Sequence, residues 1–269
     1  MKSLLLLATR AEDAAADNEY EAFLGFAGLS EGELRRVRLE QRPLGDIELR
    51  DWAGILVGGS PFNYTEPDER KSPVQRRVEA DLLGLLDRVV SENFPFLGAC
   101  YGIGLLGHHE GAAVDRRYAE PVGCAEVTLT PEGRRDPLLG VLPETFGAFV
   151  GHKEAISALP GHATLLASSA GCPVQAFRIG ANVYATQFHP ELDADGLSTR
   201  IDVYKHAGYF EPDQAEELKA LAYRSDVTHP PAVLRRFVEI YARSDGPGGL
   251  PGADGSDASA ASAVAMGLG

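Results

Sequence analysis

Basic residues and cysteines are scarce in this chain. Its 269 residues carry 25 Lys and Arg against 39 Asp and Glu, a formal net charge of −14. So acidic a surface repels the phosphates of nucleic acid and of anionic membranes alike. The basic pairs Arg35-Arg36, Arg76-Arg77, Arg116-Arg117 and Arg235-Arg236 are scattered, not gathered into a patch, and read as solvated helix faces. Neither nucleic acid nor membrane is therefore expected as a partner. The three cysteines, Cys100, Cys124 and Cys172, are too few and too far apart for a disulfide framework or a zinc site. That pattern fits a reducing, cytoplasmic compartment, where a reactive thiol survives. No stretch approaches the roughly 18 apolar residues of a membrane span. The apolar run Leu4 to Ala8 meets Arg10, Glu12 and Asp13 before a leader is complete, so it reads as a buried strand. No Gly-rich phosphate loop and no internal repeat stand out.

What is present suits one large α/β domain, since 44% hydrophobic residues over this length can build a full core. After the first strand, Tyr20, Phe23, Leu24 and Ala27 share one helical face that ends at Gly28. Gly54-Ile55-Leu56-Val57 is a second buried strand, closed by the turn cluster Gly58-Gly59-Ser60-Pro61. Ser72, Pro73 and Gln75 then read as N-cap, first-turn proline and capping-box glutamine of a helix continued by Val78, Leu82, Leu85, Leu86 and Val89. Phe94 to Leu97 is the next strand. Strands alternating with helices imply a mostly parallel sheet between two helical layers.

Past residue 115 the pattern becomes β-rich, with strands at Ala125–Leu129, Thr164–Ala167, Ala176–Ile179 and Asn182–Phe188, the last two joined as a hairpin around Gly180-Ala181. A helix returns from about Pro230 to Ala242. From residue 244 the composition collapses to Gly, Ser, Ala, Asp and Pro, which cannot offset the entropy of ordering. The expected organisation is a domain over residues 1–243 and a disordered tail over 244–269.

Two motifs carry chemistry. Phe96-Leu97-Gly98-Ala99-Cys100-Tyr101-Gly102 places a thiol between an apolar strand and a helix, flanked by glycines where side chains would collide. A free thiol of pKa ~8.5 is largely protonated at neutral pH, and a helix N-terminus and a nearby imidazolium both favour the anion. The N–H of Tyr101, turned outward at the same elbow, is one donor for an oxyanion. The second motif, Gln187-Phe188-His189-Pro190-Glu191, sets an imidazole and a carboxylate two residues apart, so that Glu191 can fix the tautomer of His189. Taken singly, each has a bland reading: a buried structural cysteine, a surface histidine, a tight glycine turn.

Together these motifs, separated by a β-rich insert, resemble the class I (triad-type) glutamine amidotransferases, particularly stand-alone members similar to the glutaminase domain of GMP synthase. The resemblance covers most of residues 1–240 and implies a flavodoxin-like three-layer α/β sandwich with a small β-rich subregion. It also implies Cys100 as nucleophile, His189 as base and acid, Glu191 as its orienting acid, and Gly59 and Tyr101 as oxyanion-hole donors. Gly58, Gln187 and His152 are the substrate-binding residues it suggests. The activity it implies is hydrolysis of the glutamine side-chain amide through a thioester, without metal or other cofactor, and with ammonia passed to a separate synthetase subunit. One departure stands out. Gly104 occupies a position where many relatives carry a substrate-holding glutamine, which leaves room for another γ-glutamyl amide or peptide as substrate. A non-catalytic binding relative is the third alternative. Lys153, beside His152 and Glu154, could meet an anionic group of a substrate or partner, and Tyr101 could pack on a ligand. His108-His109-Glu110 lacks metal-ligand spacing and reads as surface.

Overall fold

The computed structural model describes residues 2–243, so the tail expected over 244–269 lies outside the described residues. In chain order the elements are β1 (Leu4–Ala8), α1 (Asp13–Ala27), β2 (Leu34–Arg38), β3 (Gly54–Val57), α2 (Pro73–Ser91), β4 (Phe96–Ala99), α3 (Tyr101–His109), β5 (Ala113–Asp115), β6 (Glu120–Leu129), α4 (Pro131–Arg135), β7 (Thr145–His152), β8 (Ala155–Ala158), β9 (Thr164–Ser169), β10 (Ala176–Ile179), β11 (Val183–Thr186), α5 (Ala194–Val203), α6 (Ala215–Arg224) and α7 (Pro231–Tyr241). The main sheet has nine strands in the order β2-β1-β3-β4-β11-β10-β9-β6-β7, and β5 pairs with β8 in a separate ribbon. The half from β2 to β11 is parallel. The half from β10 to β7 is antiparallel.

Alternation along β1 explains its all-apolar sequence. Leu4 and Leu6 pack with Phe23 of α1 and Val233 and Phe237 of α7, whereas Leu5 and Leu7 pack with Val78 and Leu82 of α2 and Leu105 of α3. A strand covered on both faces has no solvated side to leave polar. The result is the expected three-layer sandwich, with each buried leucine contributing about 1.5–3 kcal/mol. A third cluster, built from Phe149 of β7 with Leu197 and Ile201 of α5 and Ala222 of α6, sits at the end of the sheet where the site forms. Among the described residues, no helix is long and apolar enough to cross a membrane.

Several local expectations need correction. Arg35 and Arg36 lie on strand β2, where Leu34 and Val37 are the buried residues, and Arg116-Arg117 follow β5 in a loop; only the pairs at 76–77 and 235–236 are helical. Ser72 caps α2 by accepting from Gln75 N at 3.0 Å, but the Gln75 side chain does not return the bond. Its Nε2 donates instead to Asn63 O and Glu79 Oε1, both at 2.9 Å, because a buried acceptor competes successfully with the solvated cap. Strand β4 starts at Phe96, since Phe94 N still closes the end of α2 on Val89 O. Strand β11 ends at Thr186, two residues short of the expected limit.

Candidate active site

The end of β4 and the start of α3 form a sharp elbow. Cys100 joins them with φ 51°, a left-handed backbone that costs a side-chain-bearing residue about 1–3 kcal/mol. Neighbouring structure holds it there: Cys100 N donates to Thr186 O at 2.8 Å and Ile103 N donates to Cys100 O at 3.1 Å. Glycine is required at position 98, where a Cβ would fall 2.9 Å from the Gly102 Cα, whereas a Cβ on Gly102 itself would meet Val57 at an ordinary 3.6 Å. As the first residue of α3, Tyr101 has an N–H without an intrahelical acceptor. Its ring is buried edge-on to Phe62, and both residues border a cavity at Cys100.

His189 reaches the elbow from the turn beyond β11. Thr186 Oγ1 bonds to Phe188 O at 2.8 Å, and His189 N donates to Phe149 O at 3.1 Å, fixing the turn against β7. Its Nδ1 lies 2.7 Å from Glu191 Oε1, inside a carboxylate site with 0% exposure. Donation from Nδ1 to Glu191 leaves the other ring nitrogen for Cys100. Burial opposes the charged imidazolium, yet the charges of Glu191 and Cys100 and hydrogen bonds to both outweigh it and push the His189 pKa to about 9. Burial likewise works to raise the Glu191 pKa, but the charges of His189 and Arg200 hold it well below the usual carboxylate range.

Stability therefore depends on pH through this residue. A histidine with a folded pKa raised from 6.5 to about 9 stabilises the fold fully below pH 6.5, and that contribution fades as pH rises through about 9. At about 1.4 kcal/mol for each tenfold gain in proton affinity, the loss is on the order of 3 kcal/mol. Urea midpoints measured from pH 6.5 to 9.5 are expected to fall in the native protein and to stay flatter in His189→Gln.

Behind the His189–Glu191 pair stands a buried charge network that no sequence motif announces. Arg200 of α5 donates from Nη2 to Glu191 Oε1 at 3.0 Å and lies 3.5 Å from Glu19 Oε1 of α1. Arg10 donates from Nε to the same Glu19 oxygen at 2.9 Å and from Nη1 to the Tyr204 hydroxyl at 3.2 Å. Arg10, Glu19, Arg200 and Glu191 balance two positive against two negative charges, as buried ions require. The glycine pair threads between them. A Cβ on Gly58 would fall 2.5 Å from Glu19 Oε2, and one on Gly59 would fall 2.7 Å from both Arg10 Nη2 and His189 Cε1.

Gly59 therefore abuts the imidazole, and among the described residues no acceptor takes its N–H. Gly58 has a different position from the one expected of a substrate contact: its N–H donates to Leu7 O at 3.2 Å and its Cα backs onto Glu19. It lines neither of the two cavities that meet at Cys100. The larger, ≈ 60 Å³, runs past His189 under Val150, Leu192, Leu197, Ile201 and Phe210. The smaller, ≈ 20 Å³, is lined by Ser60, Gly104, His152, Lys153, Glu154 and Gln187. Tyr209 stands between them, its hydroxyl 3.4 Å from Pro61 O.

Within the smaller cavity the candidate residues fare differently. Gln187 Oε1 is buried without a protein donor and is free for a ligand. Both His152 nitrogens are already engaged, Nδ1 with Glu154 O and Nε2 with Glu120 Oε2, each at 2.9 Å, so this ring is a wall. Lys153 Nζ sits 4.2 Å from the centre of the Tyr209 ring, and burial lowers its pKa. Above Gly104 stands a carboxylate in place of a glutamine side chain: a Cβ there would lie 3.4 Å from Glu154 Oε1. Glu154 is held by Tyr64 N at 2.7 Å and by Thr65 N and Oγ1 at 2.8 and 2.7 Å.

Outside these cavities, ligand atoms of Glu120, His152 and Cys172 lie within 4.8 Å of one another. Burial pushes the Cys172 thiol up to about 12, which disfavours the thiolate that a metal ion requires. His109 and Glu110, expected on the surface, are half-buried: His109 Nδ1 meets Glu110 Oε1 at 2.6 Å and Nε2 meets Asp87 at 3.0 Å.

A thiol at a strand-to-helix elbow of a mostly parallel sheet, with an imidazole and carboxylate arriving from the next strand, defines an α/β enzyme equipped for cysteine-dependent acyl transfer. The family model described as glutamine amidotransferase class-I matches residues 33–201, and the chain belongs to that family of cysteine-dependent amidotransferase enzymes. A glutamine-hydrolyzing GMP synthase subunit from Thermoplasma acidophilum is 35% identical over 148 residues, covering 54% of this chain and 66% of that protein. The glutamine-hydrolyzing GMP synthase of Neisseria meningitidis serogroup C is 27% identical over 151 residues, covering 56% of this chain. The chain spans just under two thirds of the former's length, 66%, and 26% of the latter's. The crystal structure of a glutamine amidotransferase from Thermotoga maritima superposes with a TM-score of 0.64 at 21% identity, covering 89% of this chain and 100% of that one, a likeness of fold.

Proposed function

We propose that this enzyme hydrolyses the side-chain amide of glutamine or a close γ-glutamyl relative through a thioester on Cys100. The observation that carries the reading is the buried 2.7 Å pair of His189 and Glu191 directed at the elbow thiol. Cys100 Sγ attacks the γ-carbonyl carbon, and the negative charge that develops on oxygen is met by the N–H groups of Gly59 and Tyr101. The C–N bond breaks as His189 protonates the departing nitrogen. Water, deprotonated by His189, then adds to the thioester and releases the acid, restoring the thiolate. Glu191 holds the imidazole and its charge in place throughout. Gln187 faces the acyl portion of the substrate. Likeness to a GMP synthase subunit supports a separate synthetase as acceptor when the leaving group is ammonia.

An electrophilic glutamine analogue, a diazoketone in place of the amide, tests this. Intact-mass and peptide analysis are expected to find one adduct, on Cys100, and none in Cys100→Ala. Adduct formation that is absent, or that persists in Cys100→Ala, sinks the reading.

A further inference from the structure

The two cavities at Cys100 divide the substrate between them. An amide's leaving nitrogen must lie beside the group that protonates it, so the cavity lined by His189 belongs to the leaving amine, and the cavity at Gly104 and Gln187 to the glutamyl part. Ammonia fills a single water-sized site, about 10–15 Å³ by the same measure. At ≈ 60 Å³ the leaving-group cavity is several times larger than ammonia needs, and Val150, Leu192, Leu197, Ile201 and Phe210 give it an extended apolar wall that ammonia cannot use.

Of the polar residues on this side, which include Ser60, Arg200, Tyr204 and Tyr209, Arg10 is the cation that abuts Gly59 beside the imidazole. Arg10 is 4% exposed, with Nε and Nη1 committed to Glu19 and Tyr204. Among the described residues its Nη2 has no acceptor, although it lies next to the imidazole, as the Gly59 contacts show. A guanidinium N–H that has no protein acceptor and borders a cavity is best satisfied by a carboxylate ligand. Arg10, Tyr204, Tyr209 and Phe210 all lie outside the segment matched by the family model, so this wall is a feature of the chain's own flanks.

We propose that the leaving amine is an apolar α-amino acid, making the substrate a γ-glutamyl dipeptide of the γ-glutamyl-leucine kind. Its carboxylate, one carbon removed from the leaving nitrogen, meets Arg10 Nη2 beside His189, and its side chain fills the apolar cavity. The Cys100–carbonyl carbon bond forms as the C–N bond breaks; the nitrogen leaves with its electron pair and takes the His189 proton. Water then gives glutamate and returns its proton to His189. This inference rests on the proposed roles of Cys100 and His189.

The test compares kcat/KM of the full chain on γ-glutamyl-leucine, on γ-glutamyl-isoamylamide, which keeps the side chain and lacks the carboxylate, and on glutamine. The dipeptide is expected to exceed both by at least about 10-fold. Arg10→Gln should bring the dipeptide to within about threefold of the isoamylamide, and Leu197→Trp should cut the dipeptide-to-glutamine ratio by about 10-fold. Glutamine turned over as well as or better than the dipeptide, or ratios unmoved by both variants, overturns the inference while leaving amide hydrolysis intact. Turnover of none of the three, together with no adduct at Cys100, overturns the underlying reading as well.

Discussion

Cys100→Ala is expected to lower kcat by about 10⁵- to 10⁶-fold, and His189→Asn added to it is expected to cost little more. The two side chains act as one unit. Without sulfur there is no nucleophile for the imidazole to serve, and without the imidazole the leaving nitrogen departs unprotonated. What survives in both variants is the binding cavity and the N–H groups of Gly59 and Tyr101, which retain a common residual rate over water. Steady-state rates of the two single variants and the double variant, with circular dichroism to check folding, decide the matter. Losses that multiply in the double variant would mean that Cys100 and His189 work independently, and the thioester route would fall.

The parts of the site legible in the sequence are those that the chain keeps close together. Gly98, Cys100 and Gly102 form the elbow among themselves, and His189 and Glu191 form their pair across Pro190, so short motifs state the geometry. Arg10, Glu19 and Arg200 come from the first loop, from α1 and from α5, and meet only when the sheet is assembled. Nothing local distinguishes Glu19 from the exposed acids near it on α1. The one available signal is that Leu197 and Ile201 share a helical face with Arg200 between them, which places a guanidinium at the rim of an apolar face. Strand β2 escapes a reading by pattern for a similar reason: Leu34 and Val37, three apart, mimic helical spacing, and Arg35 and Arg36 interrupt any alternation. The substrate side is the least legible. Gly104 signals a missing glutamine, but only the fold reveals that Glu154 occupies the space above it.

Glu191→Gln is expected to lower kcat/KM by about 10³- to 10⁴-fold and to cost about 3–5 kcal/mol of stability, two losses with separate causes. The catalytic loss arises because a neutral amide neither stabilises the imidazolium nor forces Nδ1 to donate, so His189 loses both its charge and its tautomer. The stability loss arises from Arg200. With Glu191 neutral, the buried quartet holds two guanidinium groups against the single carboxylate of Glu19, 3.5 Å from Arg200, and the other Arg200 contact, Nη1 to His189 Nδ1 at 3.1 Å, brings no negative charge. Burial and the charge of Arg10 already lower the Arg200 pKa, so the stranded cation has little to compensate it. The double variant Glu191→Gln with Arg200→Met separates the two effects: removing the unpaired cation should restore much of the urea midpoint, while activity stays at the low level of Glu191→Gln. Recovery of both together would show that Glu191 serves catalysis only by keeping the fold in place. Recovery of neither would mean that Arg200 and Glu191 are not coupled in the way that their 3.0 Å contact implies.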